Sequence, residues 1–216
     1  MTHSILTEVT NYPESDDRPM ADNTLQFRWI VTIKENLEIL FGDRPDVFIA
    51  GDLLWYPVEG NNRLRQAPDV LVVLGRPKGD RGSYRQWEED NIPPQVVFEI
   101  LSPGNRLTEM YKKFKFYERY GVQEYYLYDP RRNDCTGWQR SDDGSEFVAI
   151  EDLDQWLSPH LGIRFQLATE RLRLFYPDGR EFLESVERER QARDRIAELE
   201  AKLREAGIDP NSPSTA

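Results

Sequence analysis

The feature that most constrains this chain is a pair of short apolar runs that each carry one carboxylate. Asp69 precedes the run VLVVL at residues 70–74, and Glu99 lies inside the run VVFEIL at residues 96–101. Continuous apolar runs of this length are typical of strands buried on both faces of a sheet. A buried charge is costly unless it is paired, protonated or bound to a metal ion. The runs therefore predict a buried sheet and a site that uses both acids.

The composition favours one compact domain outside any membrane. The chain has 216 residues, of which 38% are hydrophobic and 12% aromatic, and this is enough to build a core. No window approaches the ~18 apolar residues of a membrane span, and residues 1–19 lack the pattern of a secretory signal. We therefore expect a cytoplasmic protein. A single cysteine, Cys135, and two histidines, His3 and His160, argue against a zinc site and leave oxygen ligands for any metal ion.

The charge distribution is uneven. A formal net charge of -11 argues against a general nucleic-acid binder, which usually has a basic surface. Residues 63–132, however, contain 13 Lys and Arg against 10 Asp and Glu, so the acidic excess lies in the flanks. Clustered basic residues more often form a solvated face than a binding surface. Charge alone therefore leaves nucleic-acid binding open.

The N-terminal half of the domain predicts one helix followed by strands. A capping signal at residue 23 begins a helix that ends at Gly42. Strands are predicted at 47–50, 53–55 and 70–74, and a long connection rich in Gly, Pro, Arg and Asp occupies residues 75–94, a length that is uncommon unless the loop is functional. The apolar positions of the helix recur at helical spacing: Leu25, Trp29, Ile30, Ile33, Leu37 and Leu40.

The next segment predicts a strand, a helix and a second strand. The Glu99 strand ends at the turn sequence SPGN, a helix follows over 107–120 before Gly121, and a strand covers 124–128. This order predicts a right-handed crossover and parallel pairing of the two strands. Hairpin-like turns are predicted near 131–134, 142–144 and 177–179.

Polar segments flank the predicted domain at residues 22–180. Residues 1–21 form a polar N-terminal arm, residues 181–208 a charged helical tail, and residues 209–216 a disordered terminus. The tail places apolar residues at coiled-coil spacing for little more than one heptad, whereas coiled coils sustain the pattern over three or four heptads. We therefore favour a solvated helix over a coiled-coil homodimer, which is the alternative. The residues concerned are Ile196, Leu199, Leu203 and Ala206.

The two acids suit metal-assisted hydrolysis. Hydrolysis of a phosphodiester requires a nucleophilic water and neutralisation of an anionic transition state, and a divalent ion held by carboxylates can supply both. Mg²⁺ prefers octahedral oxygen coordination and is typically held by one or two carboxylates. Asp69 and Glu99 meet this requirement, and the backbone carbonyl of Ile100 could supply a further ligand. We expect Mg²⁺, with Mn²⁺ as a substitute.

A lysine on the predicted helix would complete the site, and three candidates compete. Lys113 borders the predicted apolar stripe, so its flexible stem can reach the strand ends. Lys112 and Lys115 point further into solvent on a helical wheel at ~100° per residue. We therefore prefer Lys113. The predicted stripe consists of Leu107, Met110, Tyr111, Phe114 and Tyr117.

An ordered set of motifs resembles a known family. These motifs are Pro68-Asp69, residues 98–105, residues 113–117, residues 121–125 and Tyr128-Asp129-Pro130. In this order they resemble the family of small bacterial proteins described as putative restriction endonucleases, within the PD-(D/E)XK nuclease superfamily. The resemblance covers about residues 25–130, and the combination is far more specific than any single motif.

The resemblance implies an α/β fold of restriction endonuclease type, with a central mixed sheet flanked by helices and Mg²⁺ bound by Asp69 and Glu99. One position departs from the superfamily pattern, because Leu101 stands where a lysine is expected two residues after the glutamate. The family pattern instead matches Lys113. The implied function is a Mg²⁺-dependent DNA endonuclease in which Asp69, Glu99 and Lys113 are catalytic.

Three alternatives stay open. One is a catalytically degenerate nuclease-fold module that acts as a nucleic-acid or protein-interaction subunit. Another is a hydrolase of other phosphoesters. In the third, Asp69 only forms a turn while Glu99 and Lys113 form a buried ion pair.

Further residues are weaker candidates. Asp52 could assist the metal ion or the phosphate, although a turn at a strand edge also explains it. Gln26 could face the site, although its helix-capping position already accounts for it. Five basic residues could contact backbone phosphates from mobile loops, with solvated loop charge as the alternative. They are Arg76, Lys78, Arg81, Arg85 and Arg106.

Overall fold

A computed structural model describes residues 10–15, 21 and 23–209 of the chain. Contacts between residues divide the chain into two compact units, of which the first ends at Phe182 and the second begins at Leu183. The first unit contains the sheets and the first two helices, and the second contains the C-terminal helix.

The predicted terminal segments lie largely outside the described residues. Of the predicted arm at 1–21 the structure describes 10–15 and 21, and of the predicted disordered terminus at 209–216 it describes residue 209. The predicted charged tail starts at residue 181, two residues before the second unit.

The fold is α+β. Its elements are α1 (Thr24–Leu40), β1 (Val47–Gly51), β2 (Trp55–Tyr56), β3 (Val70–Leu74), β4 (Tyr84–Arg85), β5 (Val96–Ile100), α2 (Leu107–Arg119), β6 (Glu124–Asp129), β7 (Asp134–Arg140), β8 (Phe147–Ala149), β9 (Arg164–Leu167), β10 (Leu172–Phe175) and α3 (Ser185–Glu205). The central mixed sheet has six strands in the order β1-β3-β5-β6-β7-β8. Strands β5 and β6 are parallel and are connected through α2, as the strand-helix-strand pattern predicts, while the other neighbours in this sheet are antiparallel. Two small sheets pair β2 with β4 and β9 with β10.

Several short elements differ from the sequence predictions. The strand predicted at 53–55 begins at Trp55 and has only two residues. The connection at 75–94 contains β4 and a short 3₁₀ helix, Gln86–Glu88. Strands β9 and β10 were not predicted. These elements are two to four residues long, so pairing with distant segments determines them more than local propensity does.

Alternating residues of the central strands pack against different helices. Val70 and Val72 of β3 face the side covered by α1, whereas Leu71 and Val73 face the side covered by α2. Since both faces are buried, the strands are apolar throughout. The acids of these strands therefore lie within a packed core.

Helix α2 packs through a different face from the predicted stripe. Leu107 is 86% exposed and Tyr111 is 61% exposed, while Phe116 is buried together with Met110 and Tyr117. At ~100° per residue, this rotation moves Lys113 from the border to the middle of the buried face. A charged partner on the sheet makes that placement stable.

Helix α3 is the predicted charged C-terminal helix. Its apolar residues are exposed, and ion pairs at i,i+4 spacing, such as Lys202 with Glu198, lie along it. The coiled-coil homodimer stays an untested alternative to the solvated helix. None of the helices in the described residues is long and apolar enough to cross a membrane.

Candidate active site

Strand register brings the predicted acids to one edge of the sheet. The antiparallel pairing of Val70 with Phe98 puts the start of β3 beside the end of β5, and Gly51 at the end of β1 pairs with Val70. We call this edge the carboxylate edge and define it by Asp52, Asp69, Glu99 and Ile100. Asp69 and Glu99, which are 30 positions apart in the chain, thus become neighbours.

Glu99 is held by two side chains of α2. Its carboxylate is 3% exposed, and Nζ of Lys113 donates to Oε1 at 2.8 Å and to Oε2 at 2.7 Å. The hydroxyl of Tyr117 donates to Oε1. Lys113 and Tyr117 are four residues apart, so they lie on the same face of the helix. The helix therefore delivers a cation and a neutral donor to the same carboxylate.

Asp69 has far less support. It is 7% exposed, and its Oδ2 accepts a hydrogen bond from the backbone N–H of Ile100 at 2.6 Å. Burial, and next the charge of Glu99, raise the pKa of Asp69 to about 8, although Lys113 and the Ile100 N–H act in the opposite direction. The site thus crowds two acids around one lysine.

The lysine is stabilised in its charged form. Burial lowers the pKa of Lys113, but the charges of Glu99 and Asp69 outweigh burial and raise it above its usual value. Lys115 instead pairs with Glu118 at 2.6 Å, and Lys112 is exposed. Of the three candidates, only Lys113 contacts Glu99.

Gln26 points into the site, which its capping position did not indicate. Asn23 caps α1 as predicted, by accepting from the backbone N–H of Gln26 at 2.9 Å. The side-chain Nε2 of Gln26, however, donates to the carbonyl oxygen of Ile100 at 2.9 Å. Capping therefore uses the backbone of Gln26, while its side chain contacts the Ile100 carbonyl. Gln26 holds the carbonyl that the sequence offered as a metal ligand.

Asp52 lies beside Asp69 in a turn. Its φ is 50°, and its backbone N–H donates to the carbonyl of Pro68 at 3.1 Å. Its charge contributes to the raised pKa values of Asp69 and Lys113, although it is not their main cause. The prediction of a turn residue agrees with this position, and assistance by Asp52 to a metal ion or a phosphate stays a prediction.

The loop cations do not assemble with the acids. Strand β3 ends at Leu74, at the opposite edge of the sheet from Asp69. Nearby, Lys78 donates to the carbonyls of Phe41 and Gly42, at 2.7 and 2.8 Å. It therefore satisfies the C-terminal end of α1, a frequent role for lysine.

Three of the loop arginines, Arg76, Arg81 and Arg85, have internal partners as well. Arg76 and Arg81 both pair with Glu89, at 2.8 and 2.6 Å. Arg85 pairs with Glu88 at 3.4 Å. Their DNA contacts stay predictions. Arg106, in contrast, is exposed at the start of α2, just after the strand that carries Glu99, and no ion pair to it occurs within the described residues.

The donor set fits a small hard cation. Two carboxylates and the Ile100 carbonyl are oxygen ligands of the kind that Mg²⁺ accepts, with water completing its coordination. Burial and, after it, the charge of Glu99 raise the pKa of Asp69, and a nearby cation would lower it. In the described residues no group of three or more His, Cys, Asp or Glu side chains is arranged to hold a metal ion. A bound ion would therefore rely on the two acids, the Ile100 carbonyl and water.

Tyr117 is the residue that the sequence prediction missed. It was assigned to the apolar stripe of α2, and its ring is indeed buried. Its hydroxyl nevertheless donates to Glu99. The available signal was its spacing of four residues from Lys113.

Comparison with known proteins identifies the family of the chain. The sequence matches the family model Uma2, described as "Putative restriction endonuclease", over residues 19–171. The chain belongs to the Uma2 family. The resemblance stated from its motifs is thereby confirmed.

A solved structure shares the fold of this Uma2-family chain. It is that of a putative nuclease belonging to DUF820 from Anabaena variabilis, which is 15% identical and matches with a TM-score of 0.50 over 67% of this chain and 77% of that one. The predicted fold class is confirmed. No curated protein sequence matches the chain significantly.

Proposed function

We propose that this Uma2-family protein is a Mg²⁺-dependent DNA endonuclease that hydrolyses phosphodiester bonds. The observation that supports the proposal is the carboxylate edge, where Asp69 and Glu99 are buried side by side against a single lysine. Buried acids with incomplete compensation are typical of sites that bind a cation.

Asp69, Glu99 and the Ile100 carbonyl would hold the ion. When bound, Mg²⁺ would supply a water of lowered pKa and positive charge for the transition state. Gln26 fixes the carbonyl of Ile100, and the Ile100 N–H fixes Asp69. Lys113 holds Glu99 and places an ammonium group where charge would accumulate on the phosphate.

One observation favours the second candidate, a degenerate nuclease-fold module. Lys113 contacts both oxygens of Glu99, and together with Tyr117 it satisfies that carboxylate without any ion. A protein that kept this ion pair closed would retain the fold and lose catalysis. It would then act through nucleic-acid or protein partners.

Metal titration followed by plasmid cleavage tests the proposal. Mg²⁺ and Mn²⁺ are titrated by calorimetry into wild type, Glu99→Gln and the control Glu38→Gln, which changes an acid paired with Lys34 on the surface of α1. The same samples are then incubated with supercoiled plasmid. We expect binding and nicking in wild type and control and neither in Glu99→Gln. No binding by wild type would favour the degenerate module, and nicking by Glu99→Gln would refute the site.

A further inference from the structure

Each acid of the carboxylate edge has one oxygen that accepts a hydrogen bond from a rigid donor and one that does not. The Ile100 N–H holds Oδ2 of Asp69, and Oδ1 accepts no hydrogen bond from the described residues. Tyr117 donates to Oε1 of Glu99, and Nζ of Lys113 donates to both Oε1 and Oε2, so within the described residues the lysine is the one donor to Oε2. The lysine stem is flexible and partly exposed, whereas the tyrosine ring is fully buried.

We infer that Tyr117 is a positioning residue that restricts Glu99 to one metal-facing oxygen and so favours Mg²⁺ over Ca²⁺. The inference rests on the proposed function. Mg²⁺ needs near-ideal octahedral geometry and keeps several waters, so single oxygens from two acids suit it. Ca²⁺ takes six to eight oxygens and often binds a carboxylate through both. A glutamate with one oxygen fixed by a rigid, buried hydroxyl is a poorer ligand for Ca²⁺.

The surroundings of Tyr117 keep its hydroxyl in place. Its ring stacks on that of Trp55, with the ring centroids 6.3 Å apart, and meets the ring of Tyr125 edge-on, with the centroids 5.2 Å apart. Removing the hydroxyl leaves this packing intact, so Tyr117→Phe changes the donor to Glu99 and little else. Tyr125 provides a matched control, because its hydroxyl is buried in the same aromatic cluster and has no hydrogen-bond partner in the described residues.

The test compares affinities for Mg²⁺ and Ca²⁺ in wild type, Tyr117→Phe and Tyr125→Phe by calorimetry, which requires no turnover. We expect the ratio of Mg²⁺ to Ca²⁺ affinity to fall about tenfold in Tyr117→Phe, the order of loss seen when a residue that orients a metal ligand is removed. The ratio should stay at the wild-type value in Tyr125→Phe. Equal ratios in all three proteins would overturn the inference and leave the proposed function standing.

Infrared spectra of the carboxylate bands give a second readout. In the Ca²⁺-loaded wild type the separation of the asymmetric and symmetric bands should be that of one-oxygen coordination, and it should narrow in Tyr117→Phe. A two-oxygen spectrum in wild type would overturn the inference even if Tyr117→Phe did not fold. Failure of wild type to bind either ion would overturn the inference and the proposed function together.

Discussion

Two buried glutamates on neighbouring strands show how differently the same residue type can be used. Glu99 lies near the end of β5, and Glu124 begins β6, at the opposite edge of the sheet because the two strands are parallel. Glu124 accepts from the backbone N–H of His160 at 2.8 Å and lies 2.7 Å from its Nδ1. It also accepts from the hydroxyls of Ser158 and Tyr126.

The two edges differ in how completely their acids are satisfied. Burial raises the pKa of Glu124, but hydrogen bonds from His160, Ser158 and Tyr126 outweigh it and lower the pKa below 4.5. At the carboxylate edge the balance is the reverse, and Asp69 has a raised pKa. Hydrogen bonding thus distinguishes Glu124, which accepts from three residues, from Asp69, which within the described residues accepts only from the Ile100 N–H.

The largest expected effect is on cleavage by Asp69→Asn. Loss of this proposed metal ligand should reduce plasmid nicking by more than the roughly 10–100-fold that loss of a residue that orients a ligand costs. The fold should be as stable as wild type or more so, since Asn removes an acid that burial disfavours. Nicking assays and calorimetric unfolding measure the two quantities. Retained nicking in Asp69→Asn would contradict the functional difference between the carboxylate edge and the edge that carries Glu124.

Glu124→Ala should give the opposite result. Removal of a buried, fully bonded acid leaves Ser158, His160 and Tyr126 without their acceptor, so we expect the free energy of unfolding to fall by about 3–5 kcal/mol. Metal affinity per folded molecule should stay unchanged. Urea unfolding and metal titration check both statements. A loss of metal affinity without a loss of stability would contradict the structural role.

Lys113→Ala should reduce turnover more than metal affinity. We expect about a hundredfold loss of turnover, because one charge near the developing anion is removed. Lys112→Ala is the matched control, since it removes an exposed lysine from the same helix. Equal losses in both variants would show that Lys113 is not the catalytic lysine.

The smallest effects are on the pH dependence of stability in the metal-free protein. Glu124 has a lowered pKa in the folded state. Its contribution to the free energy of unfolding is therefore present above pH 4.5 and is lost as the pH falls through its pKa in the folded protein. Asp69 has a raised pKa, so stability declines as the pH rises from about 3.8 toward about 8. Plots of the free energy of unfolding against pH should be flatter than in wild type below pH 4.5 in Glu124→Gln. In Asp69→Asn they should be flatter between pH 3.8 and about 8. Unchanged curves would contradict the assigned shifts.

The sequence predicts the elements that carry strong local signals. Helix α1, strands β1, β3, β5 and β6, and helix α2 occur within one or two residues of their predicted positions. Their apolar runs, caps and turn residues all indicate the same structure. The small strands depend on distant partners, so local sequence could not specify them.

The candidate site was predictable where charged residues occur in segments that the sequence predicts to be buried. Asp69 and Glu99 were found because acids are unusual in apolar runs, and Lys113 because of its position on the helix. Tyr117 was missed because a tyrosine on an apolar face looks like core. The ion pairs of Arg76 and Arg81 with Glu89 depend on the loop conformation, which no short pattern specifies.

The position of the lysine on α2 makes the turn at residues 101–106 a determinant of the site. Both donors to Glu99 lie on α2, so inserting one residue in this turn would rotate Lys113 and Tyr117 together by ~100° relative to the sheet. Such an insertion would move Lys113 and Tyr117 away from Glu99 without changing any residue of the site. Relatives with a turn of another length should therefore carry the lysine and the tyrosine at a shifted position, still four residues apart.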